Sequence, residues 1–156
     1  MSKKSVLILV AVTLGVAIPV CVLALAASAF DGKPTYSAGC ATGAWIWSEE
    51  NGLHLRVTTK DGAHVFKGKI CANEITDMDY YHVADVSSNS VTLSGDHKCA
   101  HFDLQVNQTL VGFNFNARGQ KVEFSIQMDE QNLPPQKIWI GGHGVNPPSN
   151  PFTLDR

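Results

Sequence analysis

The chain has 156 residues and a formal net charge of −2, with 44% hydrophobic and 17% charged residues. This length fits one domain of ordinary size, and the apolar fraction is too high for a disordered chain. The weak negative charge excludes the basic surface that nucleic acid phosphates require, so we expect no nucleic acid partner.

The N-terminal segment differs in composition from the rest of the chain. Lys3 and Lys4 precede an uncharged, apolar run at 5–29, and this run ends in the small residues Ala-Ser-Ala before Phe30. A positive start, an apolar run and small residues at its end form the pattern of a secretory signal. The run is also long enough to span a membrane, which takes about 20 residues. We therefore predict a cleaved signal or a retained membrane anchor, with the rest of the chain secreted or otherwise outside the cytosol.

After residue 43, apolar and polar residues alternate repeatedly, which is typical of half-buried β-strands. Turn signals such as Asn51-Gly52 and Asp61-Gly62 separate the alternating stretches. The segment 72–79 breaks the alternation and is expected to form a loop or one short helical turn. The predicted strands are 44–48, 53–59, 64–71, 80–86, 90–95, 99–106, 110–116, 121–128 and 137–141.

Eight or nine short antiparallel strands joined by tight turns predict an all-β fold. We favour an antiparallel β-sandwich, and the mostly local connections keep a closed up-and-down β-barrel as the alternative. Gly43-Ala44-Trp45 is similar to the Gly-x-Trp that opens lipocalin and avidin-like barrels, but this similarity covers three residues and assigns no family. The predicted organisation is a signal or anchor at 1–29, a leader at 30–43, a β-domain at 44–141 and a Pro-rich tail at 142–156 that packs on the domain.

Three cysteines follow the apolar run, and an oxidising compartment favours disulfides. Cys71 ends one predicted strand and Cys99 begins another, so we expect these two residues to be bonded. Cys40 lies in the leader and can reach either of them, which leaves Cys40–Cys71 and Cys40–Cys99 as alternatives. Each pairing leaves one thiol over.

A competing interpretation of the same region is a metal site. On a strand, His97, Cys99 and His101 would project from one face. Imidazole and sulfur are the ligands that zinc and copper prefer. One strand rarely completes such a site, so a further ligand, His54 or His82, would be needed. We expect no cofactor, with zinc or copper as the alternative, because a disulfide-bonded sulfur is not a thiolate ligand.

The tryptophans suggest a different kind of site. In 137–141 the two isoleucines should face the core, so that Trp139 faces outward, where it can stack on a sugar ring or anchor a partner protein. The alternative is that the Pro-rich tail covers it. His143, in the Gly-rich turn that follows, is a second tentative ligand-binding residue. Trp45 and Trp47 share a face, which we expect to be the core face.

The sequence contains no catalytic motif such as Gly-x-Ser-x-Gly, His-Glu-x-x-His or a Gly-rich phosphate loop. Asn107 begins a glycosylation sequon in a predicted turn, which matters only in a host that glycosylates exported proteins. We therefore expect a non-catalytic, exported or membrane-tethered binding module for a carbohydrate or protein ligand. The alternative is a small-ligand or metal-binding protein.

Overall fold

A computed structural model of the protein describes residues 31–49, 52–81 and 89–156. The strands are β1 (Gly43–Glu49), β2 (Gly52–Thr58), β3 (Ala63–Cys71), β4 (Glu74–Tyr81), β5 (Ser90–Leu93), β6 (Cys99–Asn107), β7 (Leu110–Arg118), β8 (Lys121–Met128), β9 (Gln131–Asn132), β10 (Ile138–Ile140) and β11 (Phe152–Asp155). A short 3₁₀ helix spans Pro135–Lys137. Among the described residues, no helix is long and apolar enough to cross a membrane. The predicted signal or anchor at 1–29 lies outside the described residues.

The strands form two sheets. Sheet A has the order β10-β1-β2-β7-β4, and sheet B has the order β11-β8-β3-β6-β5, with β9 paired to β8. Neighbouring strands are antiparallel except β1 and β10, which run parallel. The all-β prediction is confirmed, and the arrangement is sandwich-like. Within the described residues neither sheet closes, so the barrel alternative is wrong. The reason is that the chain passes between the sheets, from β2 to β3 and from β3 to β4 for example, instead of pairing each strand with the next around one closed sheet.

The core lies between the two sheets. Sheet A contributes Ile46, Leu55 and Phe113, and sheet B contributes Phe66 and Phe124, each at most 1% exposed. These residues are the apolar members of the alternating patterns, which place every second side chain on one face of a strand. Alternation thus accounts for most of the core.

Close packing in sheet B depends on a glycine. Gly68 faces the core opposite Phe102. A side chain at Gly68 would overlap the Phe102 ring and the backbone oxygen of Ser125. The missing Cβ is therefore what lets the aromatic ring lie over the strand.

Besides the two-residue β9, two stretches of strand were not expected. The segment 72–79, predicted as a loop or helical turn, lies mostly in β4, and the prediction is wrong there. The pairing of β4 with β7 shifts register between Thr76 and Asp79, and Asp77 has a φ of 53°. This β-bulge interrupts the two-residue period and so hides the strand in the sequence. Most of the predicted strand 80–86 lies outside the described residues.

The second unexpected strand is β11, in the C-terminal segment. It pairs antiparallel with β8, so that Phe152 is opposite Phe124. The two rings stack with their centroids 5.3 Å apart. The C-terminal residues thereby extend sheet B.

One edge of each sheet, β10 in sheet A and β5 in sheet B, is capped by the chain itself. At β10, Ile140 N–H donates to Val145 O at 2.8 Å, and Val145 N–H donates to Ile140 O at 3.0 Å. At β5, Val91 N–H donates to the Tyr80 hydroxyl at 2.9 Å. Capped edges oppose the pairing of a sheet with another chain.

Candidate functional site

The outward face of sheet A, opposite the core, carries large aromatic and basic side chains. In contrast to the small polar residues usual on such a face, it presents tryptophan, tyrosine, histidine and arginine. We call this group, together with one tyrosine of the leader, the aromatic face. Its members are Tyr36, Trp45, Trp47, His54, Arg56, Tyr81 and Trp139.

The register of β1 with its two neighbours assembles this face. Trp45 is directly opposite Trp139 on one side and Arg56 on the other, and Trp47 is opposite His54. Residues that are directly opposite each other lie on the same face of a sheet. Trp45 and Trp47 therefore share a face, as predicted, but that face is not the core face. The expectation is wrong because the smaller Ala44 and Ile46 fill the space between the sheets.

The tryptophans stack on their neighbours. The ring centroids of Trp45 and Trp139 are 4.6 Å apart, and those of Trp47 and His54 are 4.8 Å apart. His54 Nδ1 also makes a 2.8 Å hydrogen bond with Asn114 Oδ1 on β7. These contacts make the rings a packed row rather than isolated side chains.

The leader lies over this row. The Tyr36 ring is 5.8 Å from Trp45 and 5.7 Å from Trp47, measured between centroids. Gly32 N–H donates to Ser48 O at 3.0 Å, and Gly39 N–H donates to Thr58 Oγ1 at 3.0 Å. Both tryptophans are consequently buried, with 5% and 1% of their surface exposed. The leader thus forms a third layer outside sheet A.

Arg56 is buried within the aromatic face. Its exposed fraction is 4%, and its guanidinium carbon lies 3.8 Å from the Tyr81 ring centroid and 5.2 Å from that of Trp47. Nη1 donates to the backbone oxygens of Leu55 and Phe113, both at 2.9 Å. Such cation–π contacts are strongest where water is excluded.

The remaining contacts of Arg56 leave its charge without an acidic partner. Nη2 donates to Asn114 Oδ1 at 2.6 Å, while Nε has no partner among the described residues. The ion pairs within the described ranges do not include Arg56. A buried cation therefore rests on carbonyl oxygens, an amide and aromatic rings.

Burial also changes the titration of two groups here. Burial lowers the pKa of Arg56 below its ordinary value, while the neighbouring Tyr36 and Tyr81 oppose that change. Burial raises the pKa of Tyr36, and the positive charge of Arg56 offsets part of the rise. Around neutral pH the face therefore holds a charged guanidinium beside a neutral phenol.

A cleft opens beside Tyr81, where the leader meets β4 and the turn between β6 and β7. Its volume is about 380 Å³, and its lining residues are Ala38, Tyr81, Gln108, Thr109 and Leu110. Ligand sites in proteins commonly have volumes of about 300–1,000 Å³. The ring of Tyr81 thus borders the cleft and also lies over the guanidinium.

Trp139, the sequence-predicted contact residue, lies at the other end of the aromatic face. It is half-buried, and Ile138 and Ile140 face the core as predicted. The ring lies over Gly43, where a side chain would overlap it, and a Cβ at Gly144 would lie 3.4 Å from its Cδ1. The Gly-rich turn thus covers part of the ring, and His143 within that turn is also half-buried.

The structure does not bring the predicted metal ligands together. Cys99 is bonded to Cys71, with their Cα atoms 4.1 Å apart. His97 precedes β6 in a turn with a φ of 57°, and His101 points to solvent from sheet B. The further candidate His54 belongs to sheet A, and His82 lies outside the described residues. Within the described part of the chain, no group of three or more His, Cys, Asp or Glu side chains is placed to hold a metal ion.

The disulfide predicted from strand order is confirmed. Cys71 and Cys99 are directly opposite each other on β3 and β6. Cys40 is also disulfide-bonded, and no described cysteine is free. The expectation of one leftover thiol is therefore wrong, and Cys40–Cys71 and Cys40–Cys99 are excluded. A disulfide of this kind indicates an oxidising environment outside the cytosol.

Asn107, the first residue of the sequon, is the last residue of β6 and is exposed. Gln108 follows with a φ of 54°, and its backbone N–H donates to Thr59 Oγ1 at 2.9 Å. The sequon thus lies in a tight turn, as predicted, and its last two residues line the cleft.

Sequence reasoning missed Arg56, Tyr36 and Tyr81 as members of a common site. No protein-family model matches this chain, and comparison with curated proteins and with solved structures gives no match to either. The functional argument therefore rests on the geometry of the aromatic face.

Proposed function

We propose that this protein is an exported, non-catalytic module that binds carbohydrate through the aromatic face of sheet A. The observation that carries the proposal is the position of the tryptophans. Trp45, Trp47 and Trp139 all lie on the outward face of one sheet, although the core is filled by smaller residues. Flat aromatic rings are suited to contact the apolar faces of sugar rings.

The accessible parts of the face support this function. Trp139 is half-buried and lies next to the half-buried His143, in a turn whose glycines allow a ligand close approach. At the other end, the cleft of about 380 Å³ borders Tyr81. Between these two ends the leader covers the row, so the ligand would contact the face at Trp139 and at the cleft.

A carbohydrate ligand is favoured over a protein ligand by the exposed surface. Among the described residues, the exposed large hydrophobic side chains are Tyr80 and Val145, at 41% and 46%. They belong to opposite edges of sheet A and do not form one apolar patch. Protein-binding surfaces usually include a contiguous patch of several hundred Å².

Affinity gel electrophoresis of the full chain in a panel of polysaccharides tests the proposal. We expect at least one polysaccharide to retard the protein, and Trp139→Ala to weaken that binding by about tenfold or more, as is typical of a tryptophan at a binding hot spot. Tyr80→Ala, which removes an exposed ring on the other face of β4, is the matched control and should bind normally. Failure of every polysaccharide to retard the wild-type protein would overturn the proposal.

We also propose that residues 1–29 direct export, as a cleaved signal or as a retained anchor. The support is the positive start and uncharged run of the sequence, together with the Cys71–Cys99 disulfide. Intact mass analysis of the protein from its host should find Phe30 as the first residue, or the complete segment in the membrane fraction. A full-length protein in the cytosol would contradict both forms.

A further inference from the structure

Arg56 has an unused donor, Nε–H, next to Nη2 on its guanidinium. A guanidinium has five N–H donors, of which Nη1 supplies two, Nη2 two and Nε one. Both Nη1 hydrogens are given to backbone oxygens, and one Nη2 hydrogen is given to Asn114. Of the remaining donors, Nε–H has no partner among the described residues, and the Tyr36 hydroxyl is hydrogen-bonded to the guanidinium.

This pair of donors has a specific chemical complement. Nε–H and the adjacent Nη2–H are parallel, and they match the two oxygens of a carboxylate in a bidentate pair. No described carboxylate is within ion-pair distance of Arg56. Asp79 affects the pKa of Arg56 less than Tyr36 and Tyr81 do. The guanidinium thus offers a carboxylate-binding edge inside an aromatic enclosure, where Nε–H is unused and the Tyr36 hydroxyl is the group that a carboxylate would displace.

We propose that Arg56, together with the adjacent cleft, binds the carboxylate of an acidic sugar, a hexuronic acid unit of the carbohydrate ligand. This inference rests on the proposed function and specifies the chemical class of the ligand. The sugar ring occupies the cleft against Tyr81, and its carboxylate reaches past that ring to Nε and Nη2 of Arg56. An acidic sugar therefore neutralises the one buried cation of the described aromatic face.

Access to Arg56 depends on the leader. Tyr36 lies near the guanidinium, and Ala38 forms part of the cleft wall. The leader has no strand between Asp31 and Gly43, and one isolated bridge joins Asp31 to Ser48. In this proposal the stretch from Tyr36 to Ala38 moves aside when the ligand enters, and the Tyr36 hydroxyl competes with the carboxylate for Arg56.

Isothermal titration of the full chain with galacturonic acid oligomers and with their methyl esters tests the inference. The two ligands share the same sugar rings and differ only in the charge of the carboxyl group. A hydrogen-bonded charge pair predicts that the acid binds at least about tenfold more tightly. Equal affinity for acid and ester would overturn the inference while leaving the proposed function intact, whereas the absence of binding to any sugar would overturn both.

Variants of Arg56 and Tyr36 test whether the preference for the acid arises at the Arg56 guanidinium. Arg56→Gln should bind acid and ester equally, while Lys67→Gln, which removes an exposed cation from sheet B, should keep the preference. Tyr36→Phe removes the competing hydroxyl and should raise the affinity for the acid about threefold, with the ester unchanged. Circular dichroism checks the fold of each variant. If Arg56→Gln does not fold, an unchanged acid affinity in Tyr36→Phe contradicts the inference independently.

Discussion

The two outward faces of the sandwich differ in kind. On sheet B, Lys67 and Asp103 form a 3.4 Å ion pair, and their neighbours are polar side chains such as His101, Ser125 and Gln127. The corresponding positions of sheet A are tryptophan, histidine and arginine, and the leader covers them. Contact with water is sufficient to explain why the outward face of sheet B carries polar side chains. The face of sheet A instead carries Trp, Tyr and Arg side chains packed beneath the leader, and these side chains are the basis of the proposed binding function.

The two sheets are also stabilised in different ways. Sheet B is cross-linked by the Cys71–Cys99 disulfide, whereas sheet A gains a second packed layer from Tyr36 and the tryptophans. All three tryptophans of the chain lie on sheet A. Tryptophan fluorescence therefore reports on sheet A alone, and this makes the two faces separately measurable.

The largest expected effect comes from removing a ring of the packed layer. Trp47 is 1% exposed and lies between Tyr36 and His54. Trp47→Ala should lower the free energy of unfolding by about 3–5 kcal/mol, as large-to-small changes at buried aromatic sites do. Urea unfolding followed by circular dichroism measures the change. His101→Ala on sheet B is the control and should change it by less than about 0.5 kcal/mol. Similar small losses in both variants would mean that sheet A has no second packed layer.

The next effect concerns the cross-link of sheet B. The two cysteines are 28 residues apart in the sequence. Replacing both with Ser should lower the free energy of unfolding by about 3–4 kcal/mol, according to the chain-entropy model. The native tryptophan emission spectrum should not change, because the rings lie on the other sheet. A shifted spectrum in the folded variant would show that the two faces are not independent.

The smallest expected effect is a difference between the two sheets in how their stability depends on pH. At the rim of sheet B, the Asp129 carboxylate accepts hydrogen bonds from His64 Nδ1 at 2.6 Å and from Val65 N–H at 3.0 Å. These bonds hold the pKa of Asp129 below its ordinary value. Their contribution is present above the unfolded pKa of about 3.9 and is lost as the pH falls through the folded value. Asp129→Asn should therefore be less stable than wild type at about pH 6, and the difference should vanish as the pH falls through the folded pKa of Asp129, as urea unfolding at several pH values measures.

On sheet A the dependence has the opposite direction. Because the pKa of Tyr36 is raised above 10.0, its contribution is present below that value and is lost as the pH rises through the folded pKa. Chemical denaturation of wild type and Tyr36→Phe at several pH values above neutrality measures the effect. The wild type should lose stability above about pH 10 by an amount that Tyr36→Phe does not show. Parallel curves for the two proteins would contradict the assignment.

Much of the fold was predictable because alternation is a local property. The alternating patterns located β6, β7 and β8 and their core residues, and strand order identified the Cys71–Cys99 pair. The strands that the alternating patterns did not locate were missed for physical reasons. A bulge at Asp77 hides β4, and β9 and β11 have only two and four residues. Such short strands are defined by their partners rather than by their own sequence.

The orientation of the tryptophans shows where sequence reasoning stopped short. In 44–47 the odd-numbered and the even-numbered residues are all apolar, so the period of two cannot show which set faces the core. The larger size of tryptophan led to the prediction that Trp45 and Trp47 face it. The register of β1 and β2 decides between the two sets, because Glu49 pairs with Gly52 and Trp47 is therefore opposite the polar His54. Contacts of Arg56 with Tyr36 and Tyr81 were not predictable, since they depend on segments that meet only after folding.

The parallel pairing of β1 with β10 has a consequence for the order in which the protein can be completed. β1 is the first strand of the described chain, and β10 is the last strand of sheet A. During synthesis β1 therefore waits for a partner that lies far downstream in the sequence. Contacts between such distant segments slow folding, since a long loop must close before they form. The tryptophan row, which needs Trp139 beside Trp45, is accordingly finished only after β10 has been synthesised.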